Sequence, residues 1–305
     1  MTTILLIGKQ GQLGWELHRT LSPLGNVIAV GYPEIDLADE GSLHSWVRRQ
    51  EPDAVINAAA YTDVDRAEQE EDQAVLINGK APGILAEEAR RIGAVFVHIS
   101  TDYVFNGRKG SPYLETDLPD PINAYGKSKL AGEQAAAAAG GEYFIFRTSW
   151  LYSLRRPCFV TKVLRWARSQ HTLRIVTDQI GSPTWSRQLA EALTLILQRL
   201  LAEESSWRKE RSGVYHLAGE GSIDRYSWAK EVVALDPHQD EQVVREILPA
   251  LSDEFANPAL RPENSSLDCS LVNEVFDLCL PSWRMGLELA LDPTGQGDVS
   301  QLPSS

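Results

Sequence analysis

Within the stretch NAYGKSKLAGE (123–133), Tyr125 and Lys129 have a type and spacing that could do chemistry. On a helix, residues four apart share a face. A phenol titrates near 10, too high for acid–base work at neutral pH. A neighbouring ammonium stabilises the phenolate and lowers that pKa. A tyrosine tuned in this way can hand a proton to a carbonyl oxygen. That oxygen needs a second polar contact. HISTDYVFNG (98–107) supplies Thr101, flanked by Ser100 and Asp102, at the end of an apolar run that reads as a strand. A Ser/Thr/Asp cluster is by itself an ordinary turn or helix cap. At the carboxyl end of a strand, where open α/β sheets bind ligands, it becomes a catalytic candidate.

GKQGQLG (8–14) places Gly8, Gly11 and Gly14 directly after the first apolar run and at the start of a helical pattern. Gly8 allows the tight turn, Gly11 lets a diphosphate approach the backbone, and Gly14 lets helix and strand pack closely. The spacing is one residue longer than G-x-G-x-x-G. With this loop upstream, the Tyr/Lys pair suits reduction of a carbonyl by hydride from a nicotinamide dinucleotide. Lys129 is then placed to bond the nicotinamide ribose as well. The second strand ends AVGYPEIDLAD (29–39), with Gly31 where a ribose-binding carboxylate is often found. A 2′-phosphate is therefore tolerated, with Lys9 near it, so NADPH is expected and NADH also accepted. Asp36 and Leu37 come next and could border the adenine; spacing alone is equally compatible with an exposed loop Asp36.

The elements that must position these groups are legible as well. Apolar runs at 3–8, 26–31, 53–60, 94–100 and 142–149 alternate with helical patterns, including the alanine-rich segment that begins at Ala124. Continuous apolar strands separated by helices predict a parallel sheet covered on both faces. Residues 72–93 read as helical with a break at Gly79 and Pro82. After Trp150 the order loosens. The division expected is a dinucleotide-binding domain over 1–150 with a return segment at 184–219. A substrate domain follows from 151–183 and 220–292, with a flexible tail at 293–305.

Composition excludes other classes. The chain has 305 residues, 43% apolar, and a formal net charge of −13. It lacks the basic footprint of a nucleic-acid binder. Three scattered cysteines form no disulfide framework or zinc box and fit a reducing compartment. No H-E-x-x-H or G-x-S-x-G is present. Neither a signal peptide nor a membrane span is expected, so a cytoplasmic location is the default.

GKQGQLG, NAAAYTDVDRAE, STDYVFNG, YGKSKLAGE, RTSWLY, DQIGSPTW and RPENSSLD occur in the order seen in the dTDP-4-dehydrorhamnose reductases. The chain resembles this branch of the extended short-chain dehydrogenase/reductase superfamily from about residue 3 to about 290. The resemblance implies a Rossmann-type doubly wound parallel sheet with a smaller C-terminal α/β substrate domain. It implies NAD(P)H-dependent reduction of the C4 keto group of dTDP-4-dehydro-6-deoxy-L-mannose to dTDP-L-rhamnose. By that likeness Tyr125 donates the proton, Lys129 lowers its pKa and holds the ribose, and Thr101 bonds the substrate oxygen. Gly11, Gln12 and Leu13 border the cofactor diphosphate, and Ala60, Tyr61 and Thr62 its nicotinamide. Asp102 and Trp150 contact the sugar, and Arg261 and Asn264 the substrate's diphosphate; a structural ion pair is the other reading of Arg261.

The pattern departs from the family in LYSLRRPCFVTKVL (151–164), where Arg155, Arg156, Pro157 and Cys158 replace a Gly/Asn-rich loop. Some members bind magnesium through glutamates at a dimer contact. Glu16 fits one such position, but Arg187 stands where another carboxylate is expected, so no metal ligands are assigned and a monomer or homodimer is left open. A 4,6-dehydratase needs an Asp-Glu pair after the threonine, whereas here Asp102-Tyr103 follows. An epimerase, or a non-catalytic NADP-binding regulator like the regulatory subunit of methionine adenosyltransferase, is the remaining alternative.

Overall fold

The computed structural model describes residues 1–292; the expected tail at 293–305 lies outside the described residues. Five strands, β1 (Thr3–Ile7), β2 (Asn26–Val30), β3 (Ala54–Asn57), β4 (Val95–Thr101) and β5 (Tyr143–Thr148), form a parallel sheet with a sixth strand, Gly213–His216. The order is Gly213–His216, β5, β4, β3, β1, β2. Strand side chains alternate between faces. Ile4, Leu6, Ile56, Val97, Phe144 and Phe146 enter one apolar core, against α1 (Gln12–Leu21) and the helix Ser186–Ala202. Leu5, Ile7, Val55, Phe96 and Ile145 enter the other, against α2 (Glu40–Gln50) and the helices Ala81–Ile92 and Ala124–Ala139. Both faces are covered, which is why the strands read as unbroken apolar runs.

The helical stretch before Ala81 does not break at Gly79. It continues through a π-helical segment, Val75–Lys80, into Ala81–Ile92, and Pro82 sits harmlessly in the first turn. Gly79 and Gly83 allow close approach to the helix Ala124–Ala139, since a Cβ on Gly83 would lie 2.8 Å from that of Ala135.

A third core joins the helices Phe159–Ala167, Arg225–Ala234 and Trp283–Leu291 to a parallel ribbon of Thr172–Val176 and Glu246–Ala250. The Glu246–Ala250 strand falls in a stretch that the sequence presents as Pro-, Asn- and Ser-rich with only short apolar runs. Its burial pattern is mostly exposed, so period-2 burial gives no signal there. Among the described residues no helix is long and apolar enough to cross a membrane.

Candidate active site

Strand order reverses between β1 and β3, and a crevice opens at their carboxyl ends, as expected at such a switch point. Gly8 lies here with φ +103°. A Cβ on Gly8 would sit 2.8 Å from the Ala59 nitrogen, and one on Gly14 would sit 2.0 Å from the Gly8 carbonyl oxygen. Both positions therefore require glycine. Helix α1 is N-capped by Gly11 with no side-chain cap among the described residues, leaving its first-turn amides for a ligand. Among the described residues the buried Gln12 Oε1 nearby has no hydrogen-bond partner.

A cavity of about 1000 Å³ runs from this loop across the ends of the strands. Gly8, Gly11, Gln12 and Leu13 line one end, with Asp36 and Leu37 near it. Ala60 and Thr62 follow, then Thr101, Asp102, Tyr125, Lys129 and Trp150. The uncapped amides, the glycine cradle and this length fit a dinucleotide. Gly14, Tyr61, Arg261 and Asn264 lie outside the lining. Tyr61 turns away to donate to Glu70 (2.7 Å). Its backbone is held by Asn78, which accepts from the Tyr61 amide (2.8 Å), donates to its carbonyl (3.0 Å) and donates to the Ser128 hydroxyl (3.0 Å). The π-helical segment thus ties the Ala60–Thr62 loop to the Tyr125 helix, a connection that local spacing does not reveal.

Lys9 is not left as a free cation. It pairs with Glu34 at 2.5 Å, and Glu34 also accepts from the Gly31 amide (3.3 Å). Sequence reasoning placed no carboxylate at Gly31, but the fold returns one three residues later. Asp36 accepts from the Ala38 amide at 2.9 Å, capping its own turn while bordering the cavity.

Tyr125 enters the cavity from the first turn of Ala124–Ala139. Asn123 caps that helix, accepting from the Gly126 amide (2.7 Å) and donating to the Leu260 carbonyl (2.8 Å). Gly126 permits the helix to abut β4's continuation, because a Cβ there would lie 2.1 Å from the Tyr103 carbonyl oxygen. Burial pushes the Tyr125 phenol well above its ordinary value, and a hydrogen bond with Thr101 opposes this. Thr101 also donates to Asp102 (3.1 Å) and accepts from the Tyr103 amide (3.2 Å).

The Lys129 ammonium finds its hydrogen-bond partners on β4. Lys129 Nζ donates to the Ile99 carbonyl at 2.6 Å and lies 3.2 Å from His98 Nε2. Burial lowers the Lys129 pKa to about 8, and Glu133 counters it. His98 is fully buried, and burial plus the Lys129 charge keep its pKa well below the usual range. A neutral imidazole can accept from the ammonium. His98 is two residues upstream of the Ser-Thr-Asp motif, so sequence reasoning had the segment but not the contact.

Asp102 accepts from Ser149 (2.9 Å) and Ser265 (2.5 Å) as well as Thr101. Burial raises its pKa, against these bonds and the nearby Arg225 charge. Trp150 sits at φ +43°, a conformation disfavoured for a bulky residue, and lies where a Cβ on Gly181 would come within 2.3 Å of its ring. Cys158 caps the helix Phe159–Ala167, bonded to Thr161 and Ser153, and lines the cavity with Arg156 and Pro157. Arg261 forms a two-pronged pair with Asp65 (2.7 and 3.1 Å). Asn264 is occupied by Lys109 and Ser266. Glu16 lies between two cations, Arg19 (3.2 Å) and Arg187 (3.7 Å).

The family described as RmlD substrate binding domain matches residues 1–295. The chain is 41% identical over 291 residues to the dTDP-4-dehydrorhamnose reductase of Burkholderia thailandensis, covering 94% of this chain and 97% of that one. It is 37% identical over 294 residues to the enzyme of that name from Escherichia coli K12, covering 95% and 97%. A crystal structure of dTDP-4-dehydrorhamnose reductase from Bacillus anthracis in complex with NADP superposes with a TM-score of 0.84 at 34% identity, covering 95% of this chain and 98% of that one. A UDP-glucose 4-epimerase from Thermus thermophilus, 18% identical with a TM-score of 0.76 and covering 98% and 100%, shares the fold alone. With a matching family model along nearly its whole length and relatives above 35% identity, the chain belongs to the dTDP-4-dehydrorhamnose reductase family.

Proposed function

We propose that this protein reduces the C4 keto group of dTDP-4-dehydro-6-deoxy-L-mannose, forming dTDP-L-rhamnose, with NADPH and also NADH. The observation that supports this most is the meeting of Thr101, Tyr125 and Lys129 on the wall of the cavity that begins at the glycine loop. When bound, the nicotinamide supplies hydride to the carbonyl carbon. Tyr125 supplies the proton to the carbonyl oxygen, and Thr101 bonds the same oxygen. The raised phenol pKa keeps that proton in place at neutral pH, as a donor requires. Lys129 supports the phenolate left behind and holds the ribose. Ala60 and Thr62 flank the nicotinamide side, and Asp102 and Trp150 orient the sugar. Purified protein given NADPH and the keto sugar nucleotide is expected to oxidise the cofactor and release dTDP-L-rhamnose, read by absorbance and chromatography. NADPH binding with no oxidation would favour a regulator instead.

A pH limb follows from Lys129. Its ammonium is charged below about pH 8 and lost above it. The rate constant kcat/KM is therefore expected to fall as pH rises through 8. A profile from pH 6 to 10, with Lys129→Met as the flat comparison, checks this.

A further inference from the structure

We propose that Arg225 is a specificity-determining residue that binds the diphosphate of the sugar nucleotide. This deepens the reductase reading and rests on it. Arg225 lines the cavity from the start of the helix Arg225–Ala234. Its guanidinium lies 3.5 Å from the Trp150 ring centroid and 4.7 Å from that of Phe159. Stacking of this kind uses the faces of the guanidinium and leaves its N–H edge for in-plane acceptors. One donor is taken by the Tyr103 hydroxyl.

The carboxylate that faces Arg225 is Asp102, and three hydroxyls already bond it. Among the described residues Arg225 forms no ion pair. Burial lowers its pKa to about 10, so it remains charged at neutral pH. A half-enclosed cation beside aromatic rings, with no ion-paired counter-charge, suits a ligand with anionic oxygens. A neutral sugar offers only hydroxyls. The second cation near Tyr103 is Arg261, close enough to Arg225 for the two to repel. Arg261 is neutralised by Asp65, so the unbalanced charge is on Arg225. A diphosphate carries the charge and the paired oxygens that this edge can bond. The local sequence GSIDRYSW shows only a capped helix start, which is why the residue is invisible before folding.

Calorimetric binding of dTDP, thymidine and NADPH to the full chain tests this, using wild type, Arg225→Gln and Arg225→Lys. A lost charge-assisted contact is expected to raise the dTDP Kd about ten- to hundredfold in Arg225→Gln, with partial recovery in Arg225→Lys. Thymidine and NADPH affinities should stay within about twofold, which also shows that the variants are folded. An unchanged dTDP Kd overturns the role of Arg225 and leaves the reductase reading intact. A rise in the NADPH Kd alone assigns the residue to the cofactor and equally overturns the proposal. Failure of wild type to bind dTDP overturns the nucleotide-sugar reading itself.

Discussion

Replacing Tyr125 with Phe is expected to lower kcat by about two to four orders of magnitude, the range for a lost general acid. NADPH affinity should stay within about twofold. The substitution keeps the ring, which packs edge-on against Tyr103 at 6.0 Å between centroids. It removes only the hydroxyl, the proposed proton source and the partner of Thr101. Thr101 keeps its bonds to Asp102 and the Tyr103 amide, so the site should not collapse. Thr101→Val is expected to slow the reaction as well. Because both side chains act on one oxygen in the proposed reaction, the double variant should lose less than the product of the two single losses. Steady-state rates and cofactor titration of the three variants measure this. A Tyr125→Phe enzyme with near-normal kcat would assign the proton to another group.

The contrast between Tyr125 and Arg225 shows what a sequence can reveal. Tyr125 and Lys129 are one helical turn apart, and the glycine loop joins a strand to a helix, so both patterns are local and have a period. The alternation of Ile4 and Leu6 with Leu5 and Ile7 is local too, and the covered sheet follows from it. Arg225 reaches Tyr103 only because the chain folds back along the short strand Ile223–Asp224, paired with Ile180–Gly181. Nothing near Arg225 in the sequence records that neighbour. The same holds for Asn78, whose bonds to Tyr61 and Ser128 depend on a π-helical register. Lys9 is legible as a cation but not as the partner of Glu34, because the turn after β2 is what brings the carboxylate back. The Tyr–Lys spacing places both side chains on one helix face, but the acceptors that the ammonium finds, Ile99 and His98, come from β4. Spacing sets which face a side chain occupies, and tertiary packing sets which acceptor it finds.

The largest expected loss of stability lies beneath the site. Glu133 accepts from Arg147 Nε at 2.9 Å and Nη2 at 2.7 Å, and from the Ser100 hydroxyl at 2.5 Å. Both charged side chains are only 4% exposed. Glu133→Leu leaves Arg147 as an unpaired buried cation, which is expected to cost about 3–5 kcal/mol of unfolding free energy in denaturant titration. The double variant Glu133→Leu/Arg147→Met removes the stranded charge and should recover most of that cost, because desolvation rather than attraction dominates a buried pair. A double variant as unstable as the single one would show that the pair is held by packing instead. Activity separates the two roles further. Glu133 lies one turn beyond Lys129 and favours its charged form. With that carboxylate gone, Lys129 should lose its proton at a lower pH, and the alkaline limb of kcat/KM should move down even in the double variant that regains its stability. The ion pair would then serve the fold and the lysine through separable effects, since Arg147→Met can restore the first and not the second.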